Sequence, residues 1–188
     1  DYSGGNPWGG ISADVDRKIL YVSTGNAGRF YEGTTRPGSN KYSNSLLAID
    51  VENEKLLWEF QEISHDIWNY DIASPPILTS IKKEDKLIDV VVVPTKFGNT
   101  LVRDRKTGNN IFEYTNIKVP LSNVPGEKTS YYQKIFSLPE PFTNLFFEES
   151  HITDLSKKSY ETVKEKIKDA SYGVFVPNSI KKKNIIYK

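Results

Sequence analysis

The chain has 188 residues, enough for one ordinary domain with a core of its own, and its 25 basic and 24 acidic side chains leave a net charge of +1. That balance provides no electrostatic footprint for nucleic acid or an acidic membrane surface; Lys181-Lys182-Lys183 reads as a solvated turn before an apolar strand. The chain has no cysteine, which excludes disulfides, thiolate metal sites and a Cys nucleophile.

No apolar run approaches the length of a membrane-crossing helix, and no signal-peptide pattern is found. The opening Asp1-Tyr2-Ser3-Gly4-Gly5 reads as the interior of a larger protein, so the chain is expected to be a fragment.

Strands dominate the first two-thirds. Residues 19–23, 45–49 and 55–60 are short, β-branched or aromatic, and bounded by Gly, Asn or Asp. Residues 87–93 are almost continuously apolar, which predicts a strand covered on both faces. Pro75-Pro76 and Pro94 punctuate its surroundings and exclude a helix there.

A weak internal repeat links these strands. Residues 48–58 align with 102–112, so that Asp50 pairs with Asp104 and Trp58 with Phe112, in both cases 54 positions apart by subtraction. Each copy reads as strand, Asp-led turn, strand and aromatic, a period that suggests propeller blades. The Asp accepts backbone hydrogen bonds across the turn, and Gly108 takes the left-handed position, held in the other copy by Asn53 or Glu54. The aromatic is then free to pack on the neighbouring blade.

From Val119 to Pro141 the chain becomes a long, proline-marked excursion. One helix is expected after it, capped by Thr153, Asp154 or Ser156, with Tyr160, Val163, Ile167 and Ala170 as a packing stripe and Gly173 as the stop. Residues 174–176 and 184–187 then read as a return to strands.

Six motifs stand in order along this frame: Asn6-Pro7-Trp8-Gly9-Gly10, Thr24-Gly25-Asn26, His65-Asp66 followed by Trp68, Thr95-Lys96 followed by Gly98, Asp104-Arg105 followed by Thr107-Gly108, and Val124-Pro125-Gly126-Glu127. Together they resemble the dehydrogenases that use pyrroloquinoline quinone (PQQ), and the last is most similar to the glucose-dehydrogenase branch. The resemblance implies an all-β fold, part of an eight-bladed quinoprotein β-propeller. A chain of this length supplies roughly three blades at ~50 residues each, with one loop-plus-helix insertion. Blade segments are expected at about 9–118 and 172–188, and the insertion at about 119–171.

The same resemblance implies site roles. Trp8 stacks on the planar quinone, for which an indole offers a wide polarisable face; the alternative is a buried structural Trp. Asn26 ligates the metal, Ca2+ or a lanthanide, through a hard amide oxygen; read alone, it is a turn Asn stabilising its own backbone. Lys96 contacts the quinone oxygens, where an ammonium stabilises developing negative charge. The acid expected after Trp68 is Asn69 here. An amide has no accessible basic atom, so Asn69 cannot be the general base, and it is a poorer metal ligand than a carboxylate. Asp71 lies two positions on and, were the segment extended, would point the same way, making it a candidate substitute base; the resemblance to relatives with an acid at that offset, lanthanide-using alcohol dehydrogenases among them, implies that it is also a metal ligand. Asp66 is expected to support the loop, and His65 to be structural.

The function implied is oxidation of a sugar or alcohol by hydride transfer to metal-bound PQQ, with a quinone or cytochrome acceptor, no nucleic acid partner and a periplasmic location. The remaining blades lie outside this chain, which is expected to be inactive and prone to self-association alone. The alternative is a catalytically silent propeller used as a binding or assembly scaffold, a reading that Asn69 favours and that Trp8, Asn26 and Lys96 disfavour.

Overall fold

The computed structural model describes residues 4–185. Its first sheet is a four-stranded antiparallel meander of β1 (Ile11–Asp14), β2 (Ile19–Ser23), β3 (Ser45–Asp50) and β4 (Lys55–Gln61), the arrangement of a propeller blade. The second sheet is also antiparallel, in the order β5 (Ile77–Lys83), β6 (Lys86–Pro94) and β7 (Thr100–Asp104). Two ribbons follow: β8 (Tyr114–Lys118) with β9 (Tyr132–Phe136), antiparallel, and β10 (Ala170–Ser171) with β11 (Lys183–Asn184), parallel. The stretch 119–171 thus contributes the strands β9 and β10 as well as a helix.

The strands read from sequence over 19–23, 45–49, 55–60 and 87–93 are present. Val90, Val91 and Val93 in β6 are all buried, and because successive side chains face opposite sides, the second half of this strand is covered on both, whereas Leu87 near its start is exposed. The edge strands β1 and β5 escaped the sequence reading because much of each is exposed and little marks an apolar face.

Both Asp-led turns have the expected geometry. Asp50 Oδ1 accepts from the backbone N–H groups of Glu52 and Asn53, while Asp104 Oδ1 accepts from those of Lys106 and Thr107. Glu54 (φ 55°) and Gly108 (φ 72°) hold the left-handed positions, so Glu54 rather than Asn53 does this in the first copy. After the second turn the repeat breaks: only an isolated bridge, Arg103 with Asn110, follows, and Phe112 precedes β8 outside any strand.

Trp58 joins the two sheets. It lies so close over Gly108 that a Cβ there would come within 2.5 Å of Trp58 Cδ2, and its Nε1 donates to the Arg105 carbonyl at 3.3 Å. Tyr21 donates to the same carbonyl at 2.8 Å. Beneath these contacts Tyr21, Leu46, Phe60, Ile72, Val91, Val93 and Leu101 form a core shared by both sheets.

The helix α1 (Lys157–Ile167) is capped by Ser156, whose Oγ accepts from the Ser159 N–H at 3.0 Å, so Ser156 is the cap among the three candidates. It ends at Ile167 and not at Gly173, because Ala170-Ser171 is drawn into pairing with Lys183-Asn184. Ala170 therefore belongs to β10 and not to the helical stripe. Residues 174–176 form no strand: Phe175 is left-handed (φ 50°), which turns its ring into a cluster with Trp68, Tyr70 and Phe97. In the expected last strand, Asn184 pairs with Ser171, Ile185 lies just past β11 with its N–H on the Ser171 carbonyl at 3.0 Å, and Ile186 and Tyr187 lie outside the described residues.

Candidate functional site

Three chain segments meet at the turn after β2. The Gly25 N–H donates to the Asn6 carbonyl at 3.0 Å, which lays the Trp8 segment across the turn. Gly9 sits directly on the backbone of Ile72, Ala73 and Ser74, where a Cβ would come within 2.7 Å of Ala73. A Cβ on Gly25 would lie 2.6 Å from Trp8 Nε1 and 2.7 Å from Asp71 Oδ1. The missing side chain at residue 25 is therefore what lets the indole and the carboxylate converge.

Asp71 is the hub of this cluster. Its Oδ1 accepts from the Asn26 backbone N–H at 2.8 Å, and its Oδ2 lies 3.2 Å from Lys96 Nζ. Lys96 also donates its backbone N–H to the Asp71 carbonyl at 3.3 Å. Lys96 sits in the tight Thr95–Asn99 turn between β6 and β7, closed by the Thr95 N–H on the Asn99 carbonyl and the Gly98 N–H on the Thr95 carbonyl, both at 2.9 Å. Trp8, Asn26, Asp71 and Lys96, spread over almost ninety positions, are thus brought together.

Asn69 is half-buried two residues before Asp71, on a left-handed backbone (φ 63°). The segment is therefore not extended at residue 69, and the premise that residues 69 and 71 point the same way is not met. Asn is among the residues that tolerate this conformation best.

Asp66 supports the loop, as expected. This fully buried carboxylate accepts from the Trp68 and Tyr70 N–H groups at 2.8 and 2.7 Å, and from the amides of Asn26 and Asn44 at 2.6 and 2.8 Å. Burial pushes its carboxyl above the ordinary value, against the pull of these donors. Asn44 had no sequence signal: its role depends on a partner 22 positions away. His65 is structural, with Nδ1 against the Gly38 carbonyl at 2.7 Å, and burial lowers its pKa.

Two features fit a metal and a planar cofactor. Asn26 donates its amide nitrogen to Asp66 but leaves Oδ1 buried with no hydrogen-bond partner, an orphaned hard oxygen of the kind a cation would satisfy. Trp8 is 61% exposed, so within this segment its ring offers an uncovered face. Among the described residues no cluster of three or more acidic, His or Cys side chains suited to a metal occurs.

Residues 1–188 match the family described as glucose/ethanol/alcohol dehydrogenase, beta-propeller domain, of the PQQ type. Among curated relatives, quinoprotein glucose dehydrogenase A of Acinetobacter calcoaceticus is 34% identical over 142 residues, covering 74% of this chain and 18% of that protein. The glycerol dehydrogenase large subunit of Gluconobacter thailandicus is 32% identical over 193 aligned positions, covering 99% of this chain and 26% of that protein. The crystal structure of quinohemoprotein alcohol dehydrogenase from Comamonas testosteroni matches with a TM-score of 0.55 and 28% identity over 71% of this chain and 20% of the other. A europium-containing methanol dehydrogenase matches with a TM-score of 0.56 and 27% identity over 70% and 23%. This chain therefore spans about a fifth to a quarter of the relatives' length, and by family, motif order and sheet architecture it belongs to the β-propeller domain of the PQQ-dependent glucose and alcohol dehydrogenases.

Proposed function

We propose that this chain is the active-site segment of a dehydrogenase that oxidises a sugar or alcohol hydroxyl to a carbonyl, with Asp71 in place of the acid missing at Asn69. The observation that supports it is the Asp71 carboxylate, held between the Asn26 N–H and the Lys96 ammonium beside the Trp8 indole. PQQ, bound with Ca2+ or a lanthanide, supplies the hydride-accepting chemistry.

Each residue of the chain has a separate task. Trp8 presents a rigid aromatic face that binds and orients a planar ring. Asn26 Oδ1 and the Asp71 carboxylate, with the Asn69 amide, are the metal donors; a hard cation takes such a mixture of neutral and anionic oxygens. Lys96 places a positive charge where electron density accumulates. Asp71 receives the hydroxyl proton, because Asn69 has no basic atom for it and the Asp71 carboxylate is the acid held beside Lys96 and Trp8.

The blade segments at about 9–118 and 172–188 and the insertion at about 119–171 complete this reading. So do a quinone or cytochrome acceptor, a periplasmic location and further blades that supply the remaining ligands. Asn69 itself favours a second reading, a silent propeller that binds or assembles without turnover.

The test is PQQ binding with Ca2+ or a lanthanide, followed by quenching of tryptophan fluorescence, in the chain and in Asn69→Asp and Asp71→Asn. Asn69→Asp is expected to tighten binding and Asp71→Asn to weaken it. Binding unaffected by Asp71→Asn would overturn the role of Asp71. Absence of binding in every variant, and in the full-length parent, would leave the scaffold reading.

A further inference from the structure

Glu62, immediately after β4, is fully buried and is not part of the cluster around Asp71. Its Oε1 accepts two hydrogen bonds, from Thr95 Oγ1 at 2.9 Å and from Asn99 Nδ2 at 2.8 Å. These are the two ends of the turn that carries Lys96. Its backbone N–H is itself tied to the Asn44 carbonyl at 2.9 Å, and Asn44 donates to Asp66 and to the Tyr70 carbonyl. One carboxylate oxygen thus ties together both ends of the Lys96 turn, while the Glu62 backbone N–H links it through Asn44 to the loop holding Asp71.

We propose that Glu62 is a positioning residue, a buried clamp that holds the Thr95–Asn99 turn closed so that the Lys96 ammonium is kept against Asp71. The physical case is one of alternatives. Thr95 and Asn99 are buried, and without an acceptor their donors would be left unsatisfied, so the turn would open toward water. Lys96 spans a flexible four-carbon stem, and its ion pair is partly exposed, too weak by itself to fix the backbone beneath it. The remaining oxygen of Glu62 is buried without a partner, and burial pushes the carboxyl up to about 7. That is a costly group to keep at a purely structural position, where an apolar side chain would pack more favourably. The place of Lys96 in a cofactor site rests on the function proposed above, whereas its place against Asp71 does not.

The experiment reads Lys96 directly. The rate of lysine acetylation, resolved by mass spectrometry, is measured without cofactor in the wild type, Glu62→Gln, Glu62→Leu and Thr95→Val, with exposed Lys106 and Lys164 as references. Thr95→Val removes one clamp bond at nearly constant volume and is expected to raise Lys96 acetylation about fivefold, the factor for one lost hydrogen bond. Glu62→Leu, which removes both, is expected to raise it further. Glu62→Gln retains an acceptor oxygen and is expected to stay within about twofold of wild type, because one oxygen makes both bonds. Unchanged Lys96 labelling in Thr95→Val overturns the clamp, even if Glu62→Leu fails to fold, as does a rise in Lys106 and Lys164 equal to that of Lys96. A parallel PQQ titration separates the two claims. Selective Lys96 release with no PQQ binding in any variant or in the full-length parent sinks the cofactor reading and leaves the clamp standing.

Discussion

Asp71 and Lys96 are joined twice, through the backbone, N–H to carbonyl at 3.3 Å, and through their side chains, ammonium to carboxylate at 3.2 Å. The double link places the basic group at the crest of one turn against an acid in a different loop. It predicts a separation of stability from binding. The Lys96 side chain is 27% exposed, so Lys96→Met should lower unfolding stability by less than about 1 kcal/mol in urea titration. The same variant should lose PQQ affinity at least tenfold if the ammonium faces the cofactor. Equal affinity would remove Lys96 from the site.

Gly25 gives a second test. An added methyl would lie 2.6 Å from Trp8 Nε1 and 2.7 Å from Asp71 Oδ1, closer than side-chain atoms tolerate. Gly25→Ala should force the indole and carboxylate apart and cost about 1–3 kcal/mol, the usual range for overpacking. Urea unfolding with fluorescence emission as the probe would read the stability and the indole environment together. A variant matching wild type in both would show that the convergence at Gly25 is not tight.

Glu62 predicts a pH dependence. Burial raises its carboxyl from an ordinary value of 4.5 to about 7, outweighing the bonds from Asn99 and Thr95; Asp66 also raises it, and Lys134 opposes. The folded state therefore holds a proton that the unfolded state releases. Its stabilising contribution is complete below pH 4.5 and is lost as pH rises through 7, a change on the order of 3 kcal/mol. Urea unfolding from pH 4.5 to 8 should show this loss in wild type and a flatter profile in Glu62→Gln. Identical profiles would place the Glu62 carboxyl near its ordinary value.

Trp58 predicts where the two sheets are most vulnerable. Trp58→Ala removes the ring packed on Gly108 and the bond to the Arg105 carbonyl, and should cost about 3 kcal/mol. Gly108→Ala should approach the same loss from the other side, because a Cβ would meet the ring at 2.5 Å and the backbone is left-handed (φ 72°). The double variant should cost less than the two losses added together, since both break one contact. Full additivity in thermal unfolding would refute that shared contact.

Much of this fold was legible in the linear order of residues. β2, β3, β4 and β6 were marked by β-branched and aromatic runs between turn residues. Both Asp-led turns were marked by a short side chain that bonds its own backbone, a local interaction that needs no tertiary context. The edge strands β1 and β5 were not legible, since much of an edge strand faces solvent and its sequence is free to be polar. The end of α1 was misplaced because the pairing that stops it involves residues thirteen positions downstream.

The site divides in the same way. Trp8, Asn26, Asn69, Asp71 and Lys96 could be named from motifs, and the inability of Asn69 to act as a base follows from its functional group alone. That Asp71 rather than Asn69 is bound between Asn26 and Lys96 could not be read from sequence. It depends on a left-handed backbone at residue 69, on the absence of a side chain at Gly25 and on a buried acceptor, Glu62, beneath the Lys96 turn. Sequence by itself determined which chemical groups are available, because these are covalent. Only the tertiary structure decided which of them meet, because hydrogen-bond partners up to 45 positions apart are selected by packing rather than by spacing along the chain.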